Sequence, residues 1–139
     1  MKWNKSTRFA LYACLEMARA GEGLVTIPAI AAKFAISAHH LAKVMQLLVK
    51  QGLAEAVRGA AGGYRLARPA KEVTLLDIVE IFEGNARLER CLLDDADRTC
   101  ERAELCRLKK VFDEIEHQAY FTLKSTRLSA LVEPLAPAR

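Results

Sequence analysis

Apolar residues follow two rhythms along this chain. Phe9, Tyr12, Ala13, Leu15, Met17 and Ala20 recur at helical spacing, which predicts a helix over 7–20 that stops at Gly21-Glu22-Gly23. Thr26-Ile27 marks a second helix start, with Pro28 in the first turn, where its missing N–H costs nothing. That helix is short. Ala35-Ile36 makes a turn, Ser37 caps a third helix over 38–51, and Gly52 ends it. Leu41, Val44, Leu47 and Leu48 predict its buried face, which leaves His39, His40, Lys43 and Gln46 largely outside. The rhythm then shortens. Residues 53–57 and 64–67 predict two strands joined by a glycine-rich loop, with Arg58, Arg65 and Arg68 around its tip. Thr74 caps a helix over 75–82 that Gly84 closes. Finally Leu105, Leu108, Phe112, Ile115 and Ala119 alternate steps of three and four, the seam of a coiled coil. Few elements remain to cover that seam, so a symmetric homodimer is expected.

Two short helices joined by a tight turn and followed by a hairpin make a winged helix-turn-helix. The fold class is therefore mainly α with a small β-hairpin wing, plus a long C-terminal dimerisation helix. Three regions follow: a DNA-binding domain over 1–84, a cysteine-containing loop over 85–106, and a dimerisation helix with a tail over 107–139. On the second helix of the motif, Ser37, His39, His40, Lys43 and Gln46 can meet base edges or phosphates. In the wing, Arg58 and Arg65 can reach the minor groove. Gly59, Gly63 and Tyr64 belong to the same hairpin, where glycine lets the backbone approach a phosphate. Each of these residues alone also fits an ordinary solvated face.

Charge sharpens this picture. Residues 1–70 carry ten Lys/Arg against three Asp/Glu, and residues 71–139 carry eleven against fourteen. Only the front half suits a polyanion such as double-stranded DNA. The hairpin loop lacks Gly-Lys-Ser/Thr, which argues against a nucleotide-phosphate loop. Lys2, Lys5 and Arg8 before an apolar stretch imitate a secretory signal, but Glu16 and Arg19 interrupt it. No apolar run reaches membrane-spanning length. A cytoplasmic, reducing location is expected, where clustered cysteines bind metal or react more often than they form structural bridges.

Three of the four cysteines, Cys91, Cys100 and Cys106, share one acidic segment, while Cys14 lies on the first helix as a small buried hydrophobe. The intervals match neither ferredoxin spacing, and no Cys-x-x-Cys of a typical zinc site is present. Three readings stay open on spacing alone: an iron–sulfur site, a metal-free thiol/disulfide switch, and a structural zinc completed by His or carboxylate. A small redox enzyme or a protein-binding adaptor would be the rival functions. The wing has no role in the enzyme.

The run from Val57 through Gly62-Gly63-Tyr64-Arg65-Leu66 to Pro69, followed by Val73-Thr74-Leu75-Leu76-Asp77-Ile78-Val79 and Phe82-Glu83-Gly84, resembles the wing and next helix of the Rrf-type winged-helix regulators. The resemblance extends over nearly the whole chain. It implies a non-enzymatic DNA-binding regulator, acting as a repressor, with an iron–sulfur cluster (2Fe–2S or 4Fe–4S) that senses nitric oxide, redox state or iron. By position the ligands would be Cys91, Cys100 and Cys106. The long first interval resembles the NsrR and RirA branches more than IscR, since Lys109 and Ala42 stand where the IscR branch has histidine and glutamate. The NsrR branch draws a fourth ligand, an aspartate, from near the partner's N-terminus. Arg8 stands near that place, and residues 1–15 hold no Asp or Glu. The remaining donors are Asp94, Asp95, Asp97, Glu101 or Glu104, His39 or His40, Cys14, or a small exogenous ligand.

Overall fold

A computed structural model describes residues 3–84 and 103–132, with side chains from 107 onward in the second span. Helix α1 runs Lys5–Ala20, α2 Ile27–Phe34 and α3 Ala38–Lys50. Strands β1 Ala54–Val57 and β2 Gly63–Leu66 follow, then a short 3-10 turn Ala70–Glu72 and α4 Leu75–Glu83. Helix α5 spans Ala103–Ser125 and α6 Leu128–Val132. This is the mainly helical winged fold with one two-stranded hairpin that the sequence predicts.

Helix starts follow their caps. Thr26 and Ser37 accept from the amides of Ala29 and His40 at 3.3 and 3.2 Å. Thr74 and Asp77 form a reciprocal capping box at the start of α4. Helix α1 begins two residues before the expected position, because Asn4 caps it by accepting from the Thr7 amide at 2.9 Å.

Helix α1 lies at the centre and packs on α2, α3, α4, α6 and β2. It buries Phe9, Ala10, Ala13, Cys14 and Met17. Helix α3 adds Leu41, Val44, Met45 and Leu48 to the same core. Leu47, expected inside, is half-buried, and Met45 takes the place. Positions 41, 44, 45 and 48 form one continuous helical stripe, and Leu47 stands at its edge. After α5 the chain returns to this core. Leu128 is fully buried, its N–H donates to Val73 O at 2.9 Å, and the Leu75 amide donates to Thr126 O at 3.0 Å.

The wing is tied to the body by a third partner. Ala54 pairs with Leu66 and Val57 with Gly63 across the hairpin. Val25 then exchanges both backbone hydrogen bonds with Tyr64, at 2.9 and 2.8 Å. Helix α5 rests on α4, while Leu108, Val111, Phe112, Ile115 and Phe121 remain 44–59% exposed.

Burial pushes the Cys14 thiol from 9.0 up to about 12. The thiol is neutral when protonated, so the folded state holds this proton more tightly than the unfolded chain. Its contribution to stability is full below 9.0 and is lost as pH rises towards about 12. Cys14→Ala should therefore flatten the alkaline fall in melting temperature across that window. Parallel alkaline curves for the two proteins would contradict this account.

Candidate nucleic-acid interface

The α2–α3 turn is closed by Ile36 N–H donating to Ala31 O at 3.0 Å, with Ala35 left-handed at φ 52°. It projects α3 with His39, Lys43 and Gln46 exposed along one side and Ser37 exposed at its cap. His40 differs from expectation. It is half-buried, its Nε2 lies 2.9 Å from Ser6 Oγ, and its ring meets Phe9 at 4.8 Å between centroids. The helical spacing is unchanged, but α1 passes close enough to cover this position. His40 joins α3 to α1.

In the wing, Gly59 at φ 118° makes the turn, and the Gly62 amide donates to Gly59 O at 3.0 Å. Arg58 is exposed at the tip. Arg65 reaches across the hairpin to Glu55 at 3.1 Å, and Arg68 reaches Asp77 at 3.8 Å. Gly63 has a packing reason to be glycine, since a Cβ there would stand 2.5 Å from Val25 O. Tyr64 is half-buried against the core.

Ion pairing sorts the cations. Glu16 holds both Lys33 and Arg19 at 2.7 Å. Burial opposes its ionisation, but Lys33 and then Arg19 outweigh that and hold its carboxyl below the usual value. Lys43 and Arg58, together with Lys5 and Arg8 on α1, are exposed and meet no carboxylate among the described residues. Four such cations thus stand on α1, the recognition helix and the wing tip, where a phosphate-facing surface needs them, and Lys50, Lys71, Lys110 and Lys124 are likewise exposed without a carboxylate among the described residues.

A second network lies behind this surface. The Glu83 carboxylate accepts from Thr7 Oγ1 at 2.5 Å and from the Asn4 amide at 2.8 Å, and Asn4 Nδ2 donates to Phe82 O at 3.2 Å. The end of α4 is thereby fixed to the start of α1, next to the Ser6–His40 contact. Nothing in the local sequence signals a pairing across 76 positions.

Cys91, Cys100, Asp94, Asp95, Asp97 and Glu101, and the side chains of Glu104 and Cys106, lie outside the described residues. Among the described residues, no three His, Cys, Asp or Glu converge on a common point.

The helix-turn-helix, the hairpin and their exposed cations define a winged-helix DNA-binding protein. Residues 3–134 match the model of Rrf2, described as an iron-dependent transcriptional regulator, and the chain belongs to that family. It is a DNA-binding transcriptional regulator and not an enzyme. BadM of Rhodopseudomonas palustris, provisionally named an HTH-type transcriptional regulator, is 41% identical over all of this chain and 86% of its own length. NsrR of Geobacillus kaustophilus is 33% identical over all of this chain and 95% of its own. Among solved structures, CymR of B. subtilis, the global cysteine regulator of that organism, superposes with a TM-score of 0.82 at 26% identity, covering 98% of this chain and 99% of that one.

Gly63→Ala should cost about 1–3 kcal/mol of stability, because the new methyl meets backbone rather than a yielding side chain. Urea unfolding measures this. A change within about 0.5 kcal/mol, the scale of a neutral surface substitution, would contradict the packing role.

Proposed function

We propose that this regulator binds an inverted-repeat operator as a homodimer in the cytoplasm and represses from it. An iron–sulfur cluster on Cys91, Cys100 and Cys106 sets its affinity. The division into a DNA-binding part over 1–84, a cysteine segment over 85–106 and a dimer helix beyond belongs to the same reading. Ser37, His39, Lys43 and Gln46 face the major groove, while His40 braces the helix that carries them. Arg58 and Arg65 flank the minor groove, and Gly59, Gly63 and Tyr64 shape the wing that presents them.

The observation that carries the sensing part is the Glu83 network. Glu83 stands where the chain leaves α4 for the cysteine segment, and its carboxylate holds Thr7 and Asn4. Ser6, between them in sequence, reaches His40 on α3. A displacement at Gly84 therefore bears on the recognition helix through two sets of hydrogen bonds joined by the first turn of α1. Regulation requires the loaded and unloaded segments to favour different arrangements of this chain of contacts.

The donor set suits the group, since three thiolates are the soft ligands that iron–sulfur clusters take. When bound, the cluster supplies an iron centre reactive towards nitric oxide and oxidants. For a fourth ligand, Cys14 is sealed in the core and His40 Nε2 is engaged by Ser6. Asp94, Asp95, Asp97, Glu101 and Glu104 are the nearest donors in sequence. A second reading, a metal-free disulfide switch among the three cysteines, is favoured by the likeness to Staphylococcus aureus CymR. Its oxidized form superposes with a TM-score of 0.77 at 26% identity.

Operator affinity of anaerobic loaded protein, metal-free protein and Cys100→Ala distinguishes these readings, with visible absorption recorded on each. Loaded protein should be coloured and bind at least about tenfold more tightly than the other two, within the usual range of allosteric coupling. Equal affinities in all three would remove cluster sensing. A colourless protein whose affinity shifts with oxidant would establish the thiol switch instead.

The exposed face of α5 supports the dimer, since a monomer rarely leaves such a stripe uncovered. Ile115→Glu should cost about 2 kcal/mol or more of association free energy by placing a charge in an apolar seam. Analytical ultracentrifugation should show the equilibrium moving towards monomer, with unchanged helicity. An unshifted dimer would place the interface elsewhere.

A further inference from the structure

A cleft of about 320 Å³ opens between the first half of α1 and the start of α3. Lys5, Arg8, Phe9 and Tyr12 line it from α1, and Ser37 and His40 line it from the start of α3, with the α2–α3 turn between. We infer that this cleft seats a backbone phosphate of the bound DNA. The first turns of α1 thereby become a third contact element beside the recognition helix and wing. The inference rests on the reading that α3 lies against DNA.

Charge is the first ground. Lys5 and Arg8 are both exposed, and no carboxylate among the described residues answers them, whereas Glu16 answers two cations further along α1 and α2. Two like charges facing one concavity call for an anion. Arg8 offers a planar fork that matches phosphate geometry, and Lys5 adds a point charge. Geometry is the second ground. Lys5 and Arg8 are three residues apart on one helix, so both project to the same side. That helix is anchored at this end by the Asn4 cap and by the Glu83–Thr7 bond. It is held to α3 by the Ser6–His40 contact at 2.9 Å. The backbone that carries the two cations is therefore held in place relative to Ser37, which caps the recognition helix. The positive end of the α3 dipole adds to their field.

Continuity with the DNA-facing surface selects the source of the phosphate. The cleft shares Ser37 and His40 with α3, so an anion seated there is flanked by whatever α3 touches. A duplex laid along α3 brings its own backbone to this position.

The test uses the full chain and two DNA fragments, the operator and an unrelated sequence, titrated over a series of salt concentrations. The variants are Lys5→Ala/Arg8→Ala, Arg8→Glu, and Lys43→Ala/Arg58→Ala. The Lys5/Arg8 double variant should lose about tenfold in affinity on both fragments alike. The slope of log affinity against log salt should fall by about two, one contact for each cation removed. Arg8→Glu should lose more than the double variant. Circular dichroism and melting temperature should stay unchanged, because both side chains are exposed. An unchanged slope in the Lys5/Arg8 variant, with Lys43/Arg58 weakened, would overturn the clamp and leave the helix-turn-helix reading standing. Failure of all variants to alter binding would overturn that reading as well. Inorganic phosphate is the separate arm. If it shifts the Arg8 and Ser37 resonances of free protein at ionic strength matched with chloride, while the double variant keeps full DNA affinity, the cleft belongs to a small free anion and the inference falls.

Discussion

The fold depends on how closely other elements can approach α1. Ala10 and Ala13 are fully buried and contribute little bulk, so α3, α4 and α6 can share contact with one helix. The larger residues Phe9 and Met17 fill the space on either side. Close packing of this kind transmits displacement, because interiors have little free volume in which to absorb it. The recognition helix, the wing and the returning C-terminal turn are all positioned against this helix. A larger residue at Ala10 or Ala13 would have to push several of them outward at once.

The second organising influence is the distribution of carboxylates. Glu16 holds Lys33 and Arg19 and Asp77 holds Arg68, none of which is among the proposed DNA contacts, while Glu55 holds Arg65 within the wing itself. Such pairs contribute little stability at exposed sites. Their effect is to neutralise Lys33, Arg19 and Arg68, so that the positive field near α3 comes chiefly from Lys5, Arg8, Lys43 and Arg58.

Local chemistry made much of this legible. Thr26, Ser37 and Thr74 act within three residues of themselves, and each caps the helix that the sequence assigned to it. The glycine-rich hairpin was equally plain, because its turn and strands adjoin. What escaped depends on distance along the chain. His40 reads as a solvent-facing position until α1 is laid across it. The Glu83–Thr7 bond joins residues 76 positions apart, and no periodicity reports it. Gly63 looked like a residue for phosphate approach, yet its neighbour is Val25, which only the fold brings near. Met45 displaced Leu47 because the sequence offers more apolar residues than the buried stripe holds. The cysteine segment was conspicuous by composition, and its family role came from resemblance rather than spacing.

Ala35 occupies the left-handed region at φ 52° and ψ 49° in the turn between α2 and α3. An L side chain there costs about 1 kcal/mol relative to glycine. Glycine would ease the turn but would also admit many more backbone conformations. With alanine, the joint between the two helices has few alternatives once the Ile36–Ala31 bond is closed. The unbound protein therefore already holds α3 at nearly one angle. The entropy of ordering that angle is lost when the chain folds, so less remains to be lost when the helix meets its groove.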